Sequence, residues 1–197
     1  MNNKDKIILD LCGGTGSWSE PYRKAGYDVR VITLPEYDVR TYTPPKNIYG
    51  ILAAPPCTKF SKADTGHPRR VRDFTEGMET VEACMRIIWA CQMNGAPLDF
   101  WALENPQGYL SRFLGRSVFR FQHWEFGETR PALATKRTEI WGYFNSPSKQ
   151  VKKRTVPKVL KYTLDKSRTN KDWQKITVEE RAKTCEGFSK AFYEANP

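Results

Sequence analysis

The chain has 197 residues, 39% of them hydrophobic and 27% charged, which is enough apolar material for one domain without disulfides or a structural metal and excludes a mini-protein scaffold. It carries 32 Lys and Arg against 22 Asp and Glu, a formal net charge of +10 that favours a polyanionic partner. No apolar run approaches the roughly 18 residues of a membrane span and residues 1–6 are polar, so we expect a cytoplasmic protein without membrane association. We also expect a monomer.

The N-terminal part of the chain contains short apolar runs that are bounded by turn residues. Ile7–Leu11 is followed by a glycine-rich loop and by a segment that can be helical up to Gly26, which predicts strand, tight loop and helix. Residues 27–34 are rich in β-formers, and residues 48–54 form a third apolar run that ends at two prolines. Both suit strands of a buried parallel sheet.

The middle of the chain contains one predicted helix, which is followed by further strand candidates. Thr75 can cap a helix that runs to about Asn94, because apolar residues recur there at three- and four-residue steps. Residues 100–103 form the next strand, and residues 118–121 and 138–144 are later strand candidates. Strands that alternate with helical crossovers predict an α/β sheet.

The C-terminal part of the chain contains a basic stretch and a helix. Residues 146–175 hold ten basic and two acidic residues, a net charge of +8, which is typical either of a polyanion-binding segment or of a solvated surface. Thr177 with Glu180 matches a capping box, and a helical stripe follows it. This stripe predicts a docked last helix, with the apolar positions Phe188, Ala191, Phe192 and Ala195.

The number and spacing of the cysteines argue against both a disulfide framework and a zinc site, because the number is odd and no Cys-x-x-Cys pair is present. They are Cys12, Cys57, Cys84, Cys91 and Cys185. The two histidines are isolated in the sequence, and we expect no bound metal. Each thiol is therefore available for chemistry or serves as a small buried apolar residue.

Three segments that follow predicted strands carry residues suited to chemistry. The first is the glycine loop 10–16, DLCGGTG, and the second is 55–61, PPCTKFS, in which Lys59 favours the thiolate of Cys57. The third is Glu104-Asn105-Pro106, after the crossover helix. Taken singly, these segments also fit a plain glycine turn and a structural cysteine. Because parallel strands joined by a crossover often lie side by side, the sequence predicts that Glu104 faces Cys57.

In order and spacing these motifs resemble the DNA cytosine C5 methyltransferases over most of the chain. The resemblance implies a Rossmann-like S-adenosylmethionine-dependent methyltransferase fold, with a mostly parallel central sheet and helices on both faces. It also implies a single domain over residues 1–197, in which a short basic insert at about 146–176 replaces the family's target recognition domain. Compact enzymes of this pattern resemble those of bacteriophages, and the location would then be the host cytoplasm.

The resemblance also implies roles for individual residues. Catalytic residues would be Cys57, Glu104 and Arg137. S-adenosylmethionine would be bound by Asp10, Cys12, Gly13, Gly14, Thr15, Gly16, Ser17, Asp38, Val39 and Pro56. The DNA substrate would be bound by Lys59, Ser61, Asn105, Lys136 and Arg137. Gly187 and Phe188 would correspond to the final motif, which folds back to the cofactor pocket.

The implied reaction explains why a thiol and a carboxylic acid belong together. Cytosine C5 is too electron-poor to take a methyl group directly, so the Cys57 thiolate would add to C6 while Glu104 bonds at N3. The methyl group then transfers to C5, and loss of the C5 proton expels the thiol. The target base must be flipped out of a duplex or already unpaired. The basic run after Cys57, which comprises Lys59, Lys62, Arg69, Arg70 and Arg72, would close on phosphates.

Three departures from the family pattern keep alternatives open. Thr33 and Leu34 stand where the family offers an acid to the ribose, although Glu36 is near. Lys136, Arg137 and Ile140 resemble the family's Gln-x-Arg-x-Arg motif, which holds the target base, but Thr135 stands in the Gln position and Glu139 in that of the second Arg. Only about residues 143–176 remain for target recognition. The alternatives are a non-catalytic nucleic-acid-binding module on a degenerate fold, or the same chemistry on RNA or a free cytosine nucleotide. The transferred group could also differ from methyl.

Overall fold

The computed structural model describes residues 2–61, 72–93, 98–153, 155 and 177–197. Six strands form one sheet: β1 Ile7–Leu11, β2 Asp28–Ile32, β3 Ile48–Ala53, β4 Phe100–Pro106, β5 Phe119–Gln122 and β6 Arg137–Tyr143. The α-helices within the described ranges are α1 Glu20–Lys24, α2 Phe74–Met93, α3 Ser111–Leu114, α4 Pro131–Ala134, α5 Val178–Ala182 and α6 Glu186–Ala195.

The sheet is mixed, and the expectation of a mostly parallel sheet is wrong. The strand order is β2-β1-β3-β4-β6-β5. The pairs β1–β2, β1–β3 and β3–β4 are parallel, whereas β6 is antiparallel to both β4 and β5. A parallel connection needs a crossover of a dozen or more residues, usually a helix. The connections after β4 contain only one-turn helices, so the second half of the sheet turns back on itself.

Helices cover both faces of the sheet, as predicted. Alternate strand residues such as Leu9 and Leu103 pack against α2, which buries an apolar stripe that includes Val81, Cys84, Ile87, Ile88 and Cys91. The other set, such as Ile8 and Ala102, packs against α1 and α6 through Tyr22, Phe188, Ala191 and Phe192. This division follows from the two-residue period of a strand. No helix among the described residues combines the length and apolarity needed to cross a bilayer.

The predicted elements are found with shifted ends. β4 runs to Pro106 rather than residue 103, because Asn105 and Pro106 pair with β6. The capping box at Thr177 and Glu180 is confirmed, but it begins the short helix α5, which is separate from α6. In the basic stretch, residue 154 and residues 156–176 lie outside the described residues, so its predicted role as an insert in a single domain stays a prediction.

Candidate active site

The glycine loop wraps over the buried carboxyl of Asp10. A Cβ atom on Gly13 would lie 2.4 Å from Asp10 Cγ, so only glycine fits there. Ser19 Oγ donates a hydrogen bond to Asp10 Oδ2 at 2.6 Å, while Oδ1 has no hydrogen-bond partner among the described residues. Burial raises the pKa of Asp10 to about 6. Gly14 and Thr15 lie exposed at the tip of the loop, so their backbone is accessible to a ligand.

The C-terminal segment returns to this loop. The Thr184 N–H donates to Ser17 Oγ at 2.9 Å, and the Trp18 ring centre lies 5.8 Å from that of Phe188. A Cβ on Gly187 would lie 1.8 Å from the Phe126 carbonyl oxygen, so the start of α6 requires glycine. The structure thus brings Phe188 against Trp18, directly after the glycine loop.

A cleft of about 300 Å³ opens at the carboxyl ends of β1, β2 and β3. This edge of parallel strands is where α/β sheets bind ligands. Four of the residues predicted to bind the cofactor line the cleft: Cys12, Asp38, Val39 and Pro56. Asp10, Gly13, Gly14, Thr15, Gly16 and Ser17 are not in its lining.

One wall of the cleft is the loop that contains Asp38. Arg40 donates to both carboxylate oxygens of Asp38, with Nε 2.9 Å from Oδ1 and Nη2 2.6 Å from Oδ2, and these bonds lower the pKa of Asp38. Arg86 of α2 holds the same loop by donating to the carbonyl oxygens of Val39, Arg40 and Tyr42. Asp38 therefore already has a partner within the chain, and a ligand amino group would have to share it.

The opposite wall is the N-terminal half of α2. Lys59 Nζ lies 2.6 Å from a carboxylate oxygen of Glu76, and Arg40 Nη1 lies 3.6 Å from Glu79, so ion pairs join α2 to both neighbouring loops. A Cβ on Gly77 would lie 2.8 Å from Lys59 Cβ, so this glycine lets the loop after Cys57 pack directly on the helix. Lys59, predicted to bind substrate, points its ammonium to Glu76.

The segments that carry Cys57 and Glu104 are neighbours. β3 pairs with β4 in parallel, with Ala53 opposite Leu103, as the crossover rule predicts. The buried Asn105 amide donates from Nδ2 to the Pro55 carbonyl oxygen at 3.0 Å, which ties the approach to Cys57 to the end of β4.

The chain then turns tightly at the half-buried Cys57. The Cys57 carbonyl accepts hydrogen bonds from the N–H groups of Phe60 and Ser61. Ser61, predicted to bind substrate, forms a β-bridge with Gly108. The turn and the bridge together fix the loop at both ends. Lys62, Arg69 and Arg70 of the predicted phosphate-binding run lie outside the described residues.

The surroundings of the Glu104 carboxyl favour its protonated form relative to an exposed glutamate. Burial raises its pKa, while the positive charge of Lys136 acts in the opposite direction. Within the part of the chain that the structure describes, no protein group donates a hydrogen bond to this carboxyl. Of the residues predicted to bind substrate, Lys136 is one whose charge acts on Glu104, and its Nζ donates to the Arg181 carbonyl at 3.2 Å.

Arg137 and Glu139 lie on the other face of β6. Glu104 pairs with Ile140 and Asn105 with Glu139, so Glu139 shares a face with Asn105 rather than with Glu104. Glu139 is buried, and its Oε1 lies 3.0 Å from Arg120 Nε, which compensates the charge that would repel a phosphate. Arg137 is exposed, and its Nη1 donates to Gln107 Oε1 at 3.2 Å, so the structure does not bring it to Glu104.

Several cleft residues were not predicted. Leu34 and Tyr37 are 65% and 50% exposed beside the cleft and give it an apolar rim. Gly77 carried a signal, because an isolated glycine in a helical pattern usually has a packing reason. Arg86 carried none, because an exposed arginine on a helix is typical of a solvated face.

The fold and these contacts define an α/β protein with a thiol, a carboxyl and a ligand-sized cleft at the carboxyl edge of its parallel strands. No protein-family model matches the chain, and no curated protein matches it significantly.

Proposed function

We propose that the protein transfers a methyl group from S-adenosylmethionine to C5 of cytosine in DNA, on a Rossmann-like methyltransferase fold with Cys57 as the nucleophile. The observation that supports this best is the hydrogen bond from Asn105 to the Pro55 carbonyl. It joins the residue after Glu104 to the residues before Cys57, and a packing role alone would not need a thiol and an acid at that junction. Nucleophile and acid from neighbouring strand ends are what this reaction requires.

The size and chemistry of the cleft support S-adenosylmethionine as the proposed cofactor. Its volume of about 300 Å³ is at the lower end of the range for small-molecule sites. Ile32, Leu34 and Val39 offer apolar contacts to an adenine ring. The lining holds three carboxylates and two cationic side chains, and this excess of one negative charge favours a cationic ligand. When bound there, S-adenosylmethionine supplies an electrophilic methyl carbon.

The residues of the chain would divide the remaining chemistry. The Cys57 thiolate forms a bond to C6 of cytosine, which makes C5 nucleophilic. Glu104 donates a proton at N3 as negative charge develops on the ring, and its raised pKa favours the protonated form that this step needs. After C5 gains the methyl group, its proton passes to a water molecule, the bond from Sγ to C6 breaks to release the thiolate, and N3 returns its proton to Glu104. Cytosine must leave the base stack to reach a half-buried thiol.

Methyl transfer from labelled S-adenosylmethionine tests the proposal. We expect label on DNA, with duplex DNA, single-stranded DNA, RNA and deoxycytidine monophosphate compared side by side. Cys57→Ser should keep the fold and cofactor binding but lose turnover by roughly a thousandfold or more. DNA that carries 5-fluorocytosine should trap a covalent adduct with the wild type and not with the variant.

The other acceptors in this assay decide between the alternatives. Label on RNA or on the free nucleotide alone would keep the mechanism and overturn the DNA assignment. If the wild-type protein binds DNA and S-adenosylmethionine but transfers label to none of the acceptors, it is a non-catalytic binding module. A loss of turnover in Cys57→Ser well below roughly a thousandfold would contradict the role of the Cys57 thiol as nucleophile.

A further inference from the structure

A surface beside the candidate active site gathers arginine side chains around one tyrosine ring. We call it the Tyr109 patch, and it consists of Arg72, Gln107, Tyr109, Arg112 and Arg137. The guanidinium carbons of Arg72 and Arg112 lie 5.1 and 5.4 Å from the centre of the Tyr109 ring. Arg137 joins them through its hydrogen bond to Gln107. Cation–π contacts of this kind keep guanidinium groups at a fixed place on the surface.

Two arginines of the patch, Arg112 and Arg137, have no acidic partner among the described residues. Residues 107–122 contain three arginines and no Asp or Glu. Among the described residues, Arg112 forms no ion pair, and the guanidinium of Arg137 contacts only the neutral Gln107. Arg120 from the same stretch differs, since it pairs with Glu139. Arg112 and Arg137 therefore keep donors for an anionic partner, and guanidinium geometry matches phosphate.

The patch lies where the two catalytic segments leave the site. The Tyr109 N–H donates to the Phe60 carbonyl at 2.9 Å, which joins the strand end that carries Glu104 to the loop that carries Cys57. A Cβ on Gly108 would lie 2.2 Å from the same Phe60 carbonyl oxygen, so this close approach requires glycine. An anion on the patch would thus sit next to a substrate in the site.

An aromatic ring at the edge of the patch favours nucleic acid over other anions. Phe113 follows Arg112, is 48% exposed and packs one side against Phe74 at 5.4 Å between ring centres. Exposed rings among unneutralised cations are typical of surfaces that hold unpaired bases and their phosphates together.

We infer that the Tyr109 patch binds the sugar–phosphate backbone of DNA next to the cytosine that enters the candidate active site, and that Arg112 contacts a phosphate. This inference rests on the proposed function and deepens it. It gives the short chain a DNA contact outside the basic stretch 146–175, built on α3 and the loop before it.

Binding of a fluorescein-labelled cytosine-containing oligonucleotide, followed by anisotropy over a series of salt concentrations, tests the patch. Arg112→Gln should weaken binding. The negative slope of log affinity against log salt should become shallower by about one, because one phosphate contact is lost. Lys190→Gln is the matched control, because Lys190 is an exposed cation on α6, on the other face of the sheet. It should leave the slope unchanged. In the methylation assay, Arg112→Gln should raise KM for DNA and leave kcat unchanged.

The outcomes separate this inference from the proposed function. A slope for Arg112→Gln equal to that of the wild type and of Lys190→Gln overturns the patch, whether or not methylation occurs. Loss of slope in Arg112→Gln without any methylation in the wild type supports the patch and overturns the proposed reaction. A wild type that binds RNA of the same sequence more tightly than DNA overturns the choice of DNA. Unchanged thermal unfolding of Arg112→Gln excludes misfolding as the cause.

Discussion

The candidate site has two ends, the cleft and the loop that carries Cys57, and different interactions hold each of them in place. At the cleft, α2 contacts the neighbouring loops through ion pairs of partly exposed side chains, such as Lys59 with Glu76 and Arg40 with Glu79, and through hydrogen bonds from Arg86 to loop carbonyls. At the Cys57 end, the contact is a buried neutral hydrogen bond from Asn105 to the Pro55 carbonyl. Exposed pairs contribute about 0–1 kcal/mol and weaken with salt, whereas a buried polar group that loses its partner costs about 1–3 kcal/mol.

This difference separates an adaptable end from a fixed one. A wall held by exposed ion pairs can adjust to a ligand at little cost in free energy. A nucleophile must be held within a fraction of an ångström of its productive position, which a buried hydrogen bond achieves. Substitutions at the Cys57 end should therefore lower kcat and stability, and those at the cleft should change KM for the cofactor.

The largest effect is expected from Asn105→Asp. It places a buried carboxylate against the Pro55 carbonyl oxygen, so the free energy of unfolding should fall by about 3–5 kcal/mol and turnover should be lost. Asn105→Leu is the matched control, because it removes the hydrogen bond without adding charge, and it should cost about 1–3 kcal/mol by leaving the Pro55 carbonyl without its donor. Its kcat should still fall at least tenfold, with KM for the cofactor unchanged. Chemical denaturation and steady-state kinetics measure both, and wild-type kcat in Asn105→Leu would show that this bond does not position Cys57.

Asp10 should make stability depend on pH. Its pKa is about 6 in the folded protein and 3.8 as the ordinary value. Between these values the folded state holds the proton more tightly than the unfolded chain, so the unfolding free energy falls as pH rises from about 4 to 6, by about 3 kcal/mol in total. Denaturation at a series of pH values measures this slope. Asp10→Asn should flatten it, and a slope that persists in the variant would assign it to another group.

Sequence reasoning reached the part of the site that follows from local pattern and chain connection. The periodicity of α2 and the crossover rule predicted that the ends of β3 and β4 are adjacent, which brings Pro55 and Asn105 together. The reversal of β6 was missed, because a strand pattern does not reveal the direction in which the strand pairs. The pairing of Lys59 with Glu76 was missed as well, because it depends on how a loop packs on a helix.

Gly77→Ala probes the place where the two ends meet. Alanine in a helix normally stabilises by about 0.5–1 kcal/mol relative to glycine. Here the new Cβ would lie 2.8 Å from Lys59 Cβ, so overpacking should outweigh that gain and give a net loss of about 1 kcal/mol. Displacement of Lys59 should also lower kcat severalfold, because Cys57 is in the same short turn. Thr80→Ala, on the same wall, should leave kcat unchanged, and a more stable Gly77→Ala with normal kcat would contradict the argument.

The smallest effect is expected from Glu76→Gln. It removes the charge that holds Lys59 Nζ at 2.6 Å, but Glu76 is 61% exposed, so stability should change by less than about 1 kcal/mol. Because the pair joins α2 to the loop at the mouth of the cleft, KM for S-adenosylmethionine should rise by about twofold, with kcat retained. The difference from the wild type should shrink as salt is raised, since screening weakens the pair in the wild type as well. A salt-independent loss of kcat would instead place Glu76 with the fixed end of the site, and the division between the two ends would fail.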